Sequence, residues 1–240
     1  MRHRRRRGSR KWSPLDLGDD LREWWNADDV SRLVISGGQV SDWTSVKGLT
    51  LSQATSGAQP TWSATGFNGA PGVTFDGVDD VLSAVSALGR IPGTSGYYLL
   101  AVVDQVALPA DATTRAILTL GTSNGSRRML ARGVVSGANR IRGIVDATDA
   151  YGTSGNFSGR KLVALHVGAA ATDTYLDAVL DTSTAVAPAA HSARTRIGAN
   201  QAGTGNFWNG KMRDVMAVRD TISAAQLAKL NAFLLARRML

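Results

Sequence analysis

The residues able to do chemistry fall in a few separate places. Asp76, Asp79 and Asp80 lie within P-G-V-T-F-D-G-V-D-D-V-L and put three carboxylates in five positions. Such a group can supply part of the shell of about six to eight oxygens that calcium takes. Aspartate at a tight turn also bonds its own backbone, so capping is the competing role. Gly121-Thr122-Ser123-Asn124-Gly125 matches G-x-S-x-G. A nucleophile elbow needs a strand before it and a helix after it. Strand-like runs stand on both sides here, so a hairpin turn is expected. Acid/base cleavage of a glycosidic bond needs two carboxyl groups flanking it. Glu23 is the single glutamate, and it precedes the main run of strands. The residues therefore give no expectation of enzyme activity. His3, His166 and His191 are isolated, which disfavours zinc; His166, inside an apolar run, reads as a hydrogen-bonded core residue.

A sugar site needs an aromatic face for the ring and amide or carboxylate groups for the hydroxyls. Tyr151 with Asn156 and Phe157 offers that composition. Asn206, Trp208 and Asn209 offer it again in a second loop. The alternative for both is an aromatic tucked into the core.

Charge is unevenly placed. Arg2, Arg4, Arg5, Arg6, Arg7, Arg10 and Lys11 carry +7 of the formal +8, leaving +1 beyond Lys11. Residues 1–23 are read as a basic arm and lead-in, and 24–240 as one domain. A block of like charge is an interaction tail by type. Arginine's planar fork suits carboxylate and phosphate alike. A protein partner is expected rather than nucleic acid, because a net +1 offers no basic face to extend a nucleic-acid footprint. No apolar segment follows the arm, so it is not read as a secretory leader. No run of eighteen apolar residues suggests a membrane span, and cysteine is absent.

The elements that must position these residues read as strands. Short apolar runs at 96–106, 115–121, 127–135, 138–147, 160–168, 172–180, 194–199 and 210–219 alternate with Gly, Asn, Asp, Ser and Thr. That rhythm predicts a sandwich or jelly roll. Leu162 to Val167 is apolar on both faces, as in a central buried strand. Arg140, Arg142 and Asp146 alternate with Ile141 and Val145, which predicts one wet face. Asp19-Asp20 before Leu21, Trp24 and Trp25 predicts a short capped helix or turn. Ser223 with Gln226 forms a capping box. It opens a helix to about Arg238 with Leu227, Leu230 and Leu234 on one stripe.

The F-D-G-V-D-D-V-L string resembles the opening core strand of the concanavalin A-like, laminin G-like jelly-roll superfamily. Tyr175-Leu176-Asp177, Arg196-Ile197-Gly198-Ala199, Gly210 to Val215 and Ser223 to Leu227 are similar to its later motifs, in its order. Ala178 stands where its hairpin glycine is usual, and Lys161-Leu162 replaces Trp-His. The lead-in W-N-A-D-D…G-G-Q-V-S-D-W resembles laminin G-like domains of bacteriophage virion proteins. The resemblance implies an all-β sandwich with a basic arm and a short C-terminal helix. It implies a non-enzymatic virion structural protein, a head decoration or tail-associated subunit in multiple copies. The arm would grip an acidic surface of other virion proteins, and the outward domain would take host surface polysaccharide. Calcium at Asp76, Asp79 and Asp80 is a further implication. A free carbohydrate-binding module is the main alternative, and a glycoside hydrolase the third.

Overall fold

The computed structural model describes residues 11–84, 96–105, 113–155, 157–186 and 194–240. Arg2, Arg4, Arg5, Arg6, Arg7 and Arg10 of the arm, with His3, Asn156 and His191, lie outside the described residues. The chain is all-β, closed by one helix. Its strands are β1 (Leu21–Asn26), β2 (Leu33–Ser36), β3 (Gln39–Thr44), β4 (Thr50–Ser52), β5 (Thr61–Phe67), β6 (Ala70–Asp76) and β7 (Leu82–Ala84). They continue as β8 (Tyr97–Gln105), β9 (Arg115–Leu120), β10 (Arg128–Val135), β11 (Ala138–Val145) and β12 (Thr148–Tyr151). The last are β13 (Gly159–Val167), β14 (Thr172–Leu176), β15 (Val179–Thr184), β16 (Thr195–Ile197) and β17 (Asn209–Arg219), followed by α1 (Ala224–Met239).

All the strands join in one antiparallel hydrogen-bonded system that curls back on itself. One wall runs β1-β17-β8-β13-β14-β15. The other runs β4-β7-β16-β9-β10-β11-β12. Strands β3, β5 and β6 close one side between them. The period-two alternation of strand side chains decides what each wall buries. Leu99, Ala101 and Val103 of β8 face inward, as do Val163, Leu165 and Val167 of β13. They meet Leu118, Leu120, Leu130, Ile141 and Val145 of the opposite wall in the main core. Trp25 and Trp43, both fully buried, anchor its N-terminal end.

The alternate residues of β8 and β13, Leu100, Val102, Leu162 and Ala164, form a second core with Leu230 and Leu234 of α1. This explains why Leu162 to Val167 reads as apolar on both faces. The helix starts as predicted: the Ser223 hydroxyl accepts the Gln226 backbone N–H, and the Gln226 side chain accepts the Ser223 N–H. Its end is fixed by ionic contacts. Arg237 donates to Asp214 of β17 at 2.6 Å and to Asp28 at 2.7 Å, while Arg213 donates to the same Asp28 at 3.0 Å. Asp214 is fully buried and also accepts the Trp24 indole N–H at 2.9 Å. Removing one member of such a buried pair costs about 3–5 kcal/mol, because the other charge stays behind unpaired.

Two local expectations are corrected. The helical turn of the lead-in is a 3-10 segment at Pro14–Asp20, before the paired aspartates close and not after them. The residues that follow, Leu21 to Asn26, are strand β1 because Trp25 must alternate inward and Trp24 outward. The boundary placed between residues 23 and 24 therefore falls inside a strand. Trp12 and Leu17 of the lead-in pack with α1, Trp12 edge-on to Phe233 at 6.2 Å.

Candidate functional site

The outward face of β10, β11 and β12 carries the polar side chains best placed for a ligand. Inward residues of these strands are Leu130, Ile141 and Val145. The alternation therefore sends Arg140, Arg142 and Ile144 outward, with Tyr151 directly across from Arg142. The wet face expected for this strand is present only in part: Arg140 and Arg142 lie on it, but Ile144 is buried with Met129 and Ala131, and Asp146 pairs instead with the buried Arg128. Tyr151 is half-buried. Its ring lies under the Arg142 guanidinium, 4.9 Å from the centroid. It reaches across β11 to β10, where a Cβ on Gly133 would meet Tyr151 Cε1 at 2.9 Å and Arg142 Cδ at 3.0 Å. Glycine at 133 leaves the room that lets both side chains lie down on the sheet.

Hydrogen bonds hold this surface in place. Arg142 donates from Nε and Nη2 to the two oxygens of Asp149, at 3.1 and 2.7 Å, and from Nη1 to the Thr114 hydroxyl. Arg140 donates to the Gly152 carbonyl at 3.1 Å. Arg127 bridges two amides, Asn124 at 2.9 Å and Gln201 at 3.0 Å, and those amides bond each other at 2.6 Å. Arg196 of β16 donates to the Gln201 and Ala202 carbonyls under the same loop. Burial, and then repulsion from Arg142, pulls the Arg127 pKa below its usual value against a smaller opposing effect of Asp149. Burial and then Arg194 lower Arg196 to about 10.

The other sequence candidates separate. Phe157 and Trp208 are fully buried and meet edge to face at 6.2 Å in the core. They are not ligand platforms: the loop before β17 tucks its aromatic inward. Asn206 takes φ 55° and its carbonyl accepts the Ala116 N–H, so it shapes the loop. Asn209 pairs with Asp76 at the start of β17. Of the five proposed sugar contacts among the described residues, Tyr151 is the one found beside a guanidinium on an outward sheet face. Lys11 is exposed.

At the aspartate turn, the Asp76 carboxylate accepts the Val78 N–H at 2.8 Å and Asp80 accepts the Asp76 N–H at 2.8 Å. Ligand oxygens of Asp76, Asp79 and Asp80 lie within 4.8 Å of one another. These caps account for Asp76 and Asp80 without a cation. Burial, and then the charges of Asp76 and Asp79, push Asp80 up to about 6 against the backbone bond that favours its ionised form. The G-x-S-x-G string is the β9–β10 connection, as expected, with a 3-10 turn at Asn124–Ser126. His166 is not a core residue: it lies half-buried on the outer face of β13, bonded to Asp173 at 3.0 Å and stacked on Tyr98 at 4.4 Å. Beside it, Tyr98, Tyr175 and Asn231 line a cleft between α1 and the sheet, which sequence reasoning missed. Glu23 is buried in β1 and accepts the Ser45 hydroxyl.

Sequence reasoning also missed the arginine cluster. A net +1 beyond Lys11 suggested that no basic face exists. The fold nonetheless sets Arg140 and Arg142 on the outward face of β11, while Arg127 and Arg196 meet at Gln201 near the other end of the hairpin.

No protein-family model and no curated protein matches the sequence. Solved structures do. Trypanosoma rangeli sialidase, in complex with 2,3-difluorosialic acid, aligns with TM-score 0.62 and 14% identity over 92% of this chain and 33% of its own. A GH54 α-L-arabinofuranosidase aligns with TM-score 0.61 and 14% identity over 83% of this chain and 51% of its own. Domain 4 of AbnA, a GH43 extracellular arabinanase from Geobacillus stearothermophilus, in complex with arabinotriose, aligns with TM-score 0.57 and 13% identity over 88% of this chain and 98% of its own. This chain thus spans about a third of the sialidase's length and nearly all of the AbnA domain. At this identity the likeness shows the fold. The sequence-based exclusion of catalysis is corrected by these neighbours, since the proteins that share the fold are glycoside hydrolases or parts of them.

Proposed function

We propose that this chain binds carbohydrate on the outer face of β10, β11 and β12, with Tyr151 as the platform for a sugar ring. The observation that carries the reading is the arrangement around Tyr151. The Tyr151 ring, the Arg142 guanidinium lying over it and the Asp149 carboxylate that holds Arg142 from two nitrogens stand together on an outward sheet face. Sugar rings present apolar C–H faces to aromatics and hydroxyls to such planar groups, and a surface fixed in advance loses little entropy on binding. The shared fold supports it: the AbnA domain, of matching length, was solved with arabinotriose. The order of motifs also supports a concanavalin A-like jelly roll as the finer description.

The test is a glycan array probed with the full chain and with Tyr151→Ala. Binding by the first and loss in the second supports the reading; equal signals from both would remove Tyr151 from the site. Scoring the same glycans for newly released reducing ends tests hydrolysis directly.

The virion reading belongs to the same proposal at its outer edge. In it, residues 1–11 attach the domain to an acidic protein surface through arginine–carboxylate pairs. Its support is the arm's composition and the phage-like lead-in. Co-sedimentation with phage particles should be lost in high salt and on removal of residues 1–8. Salt-insensitive binding, or binding without the arm, would end it.

A further inference from the structure

The histidines are isolated in the sequence, yet the fold gives one of them a carboxylate at each ring nitrogen. His166, on the outer face of β13, is bonded through Nδ1 to Asp173 Oδ2 of β14 at 3.0 Å. Its Nε2 faces Oδ2 of Asp220, the residue after β17, at 3.8 Å. An ionised carboxylate only accepts, so Nδ1 carries a hydrogen and Nε2 is the nitrogen left over. That Nε2 is buried and has no hydrogen bond. The gap to Asp220 is too long for one. It is within the span of two bonds of about 2.0–2.2 Å that meet at a single metal ion.

Both atoms are held where they are. Tyr98 stacks on the imidazole at 4.4 Å, with the two rings 18° from parallel. Asp173 fixes the ring from the other nitrogen, and metal-binding histidines commonly donate their second N–H to a carboxylate in this way. The Asp220 carboxylate lies directly against Gly96, where a Cβ would come within 1.6 Å of Oδ2. The Asp220 N–H also donates to the Gly96 carbonyl at 3.2 Å. Any other residue at 96 would push the carboxylate away from His166.

We propose that His166 Nε2 and Asp220 form an open site for a divalent transition metal such as zinc, with Asp173 as the positioning residue behind the imidazole. The imidazole directs the choice toward zinc, copper or nickel, since calcium and magnesium take oxygen shells. Two protein ligands leave the remaining positions to water or to a donor from outside. The site lies on the β13 wall, apart from the Tyr151 face, and does not depend on the carbohydrate reading. The competing bridge between the same two atoms is a proton on Nε2.

The experiment titrates zinc into the chelator-treated full chain near neutral pH, and into His166→Gln, Asp220→Asn and Asp173→Asn. The proposal expects binding at least tenfold weaker in the first two variants and about tenfold weaker in the third. Zinc should raise the melting temperature of the parent chain and leave that of His166→Gln unchanged. Melting without metal shows whether each variant folds. The Asp220 side chain is the more exposed of the two ligands, 32% against 18%, so Asp220→Asn carries the test if His166→Gln does not fold. Zinc binding that persists in both ligand variants belongs elsewhere, at His3, His191 or the Asp76 turn, and overturns the proposal. Loss in His166→Gln alone overturns the pairing with Asp220. Displacement of zinc by equal calcium overturns the metal class. No zinc binding at all overturns the site and leaves the proton as the bridge.

Discussion

At the scale of the residue, the same side-chain type is put to opposite uses by burial. Asp76 and Asp80 were legible in the sequence as a turn, because Asp-Gly between apolar residues has few other conformations. Gly77 takes φ 81°, and the two carboxylates cap the backbone around it. What the sequence did not show is that Asp80 is buried. Its folded pKa of about 6 stands above the roughly 3.9 of an unfolded aspartate. A raised pKa contributes stability below about pH 4, and that stability is lost as pH rises through about 6. At neutral pH the ionised Asp80 is thus a cost. Asp80→Asn keeps an oxygen for the Asp76 N–H and removes the charge. The substitution should raise the melting temperature near pH 7 to 8 and lose that advantage near pH 4. An equal shift at both pH values would show that charge is not the cause. Trp208 and Phe157 were misread for the complementary reason: composition names an aromatic but not the face it takes, and both turned inward.

At the scale of the element, the strands with apolar runs were readable and the polar ones were not. The runs at 96–106, 127–135, 160–168 and 210–219 became β8, β10, β13 and β17 within a residue or two at each end. Thr148–Tyr151, by contrast, is a strand only because β11 offers it an edge, and its sequence T-D-A-Y carries no alternation. The early strands β3 to β5, rich in Ser and Thr, are set the same way by their neighbours. The β14–β15 hairpin shows a cost the sequence did announce. Asp177 and Ala178 form its two-residue turn at φ 53° and 67°, the left-handed region that glycine occupies freely. Ala178→Gly should stabilise the fold by about 0.5–1 kcal/mol, the strain relieved less the added freedom of the unfolded chain. Urea melts with an unchanged slope and a higher midpoint would show this. A lower midpoint would mean that the Ala178 methyl, which packs in the second core, contributes more than the turn loses.

At the scale of the whole molecule, the fold was legible, and of the proposed site Tyr151, Arg140 and Arg142 were, while their partners were not. Strand rhythm, a capped final helix and the order of motifs all pointed to an all-β chain closed by a helix, because those signals are local. The arginines around the β10–β11 hairpin come from β11, from the start of β10 and from β16, stretches that composition does not place together. Only the pairing of β9, β10 and β16 brings Arg196 and Arg127 to the same loop, where both bond Gln201. The exclusion of enzyme activity failed at this scale too, since it rested on a count of glutamates while the fold is one that glycoside hydrolases share. The central claim is that Tyr151 is the platform of a carbohydrate site. Its most direct measurement is calorimetric titration of the best array glycan into the full chain and into Tyr151→Ala. The account predicts at least a tenfold loss in the variant, about 1.4 kcal/mol, at an unchanged melting temperature. Equal affinity for the two proteins would contradict it and turn attention to the cleft beside Tyr98 and Tyr175.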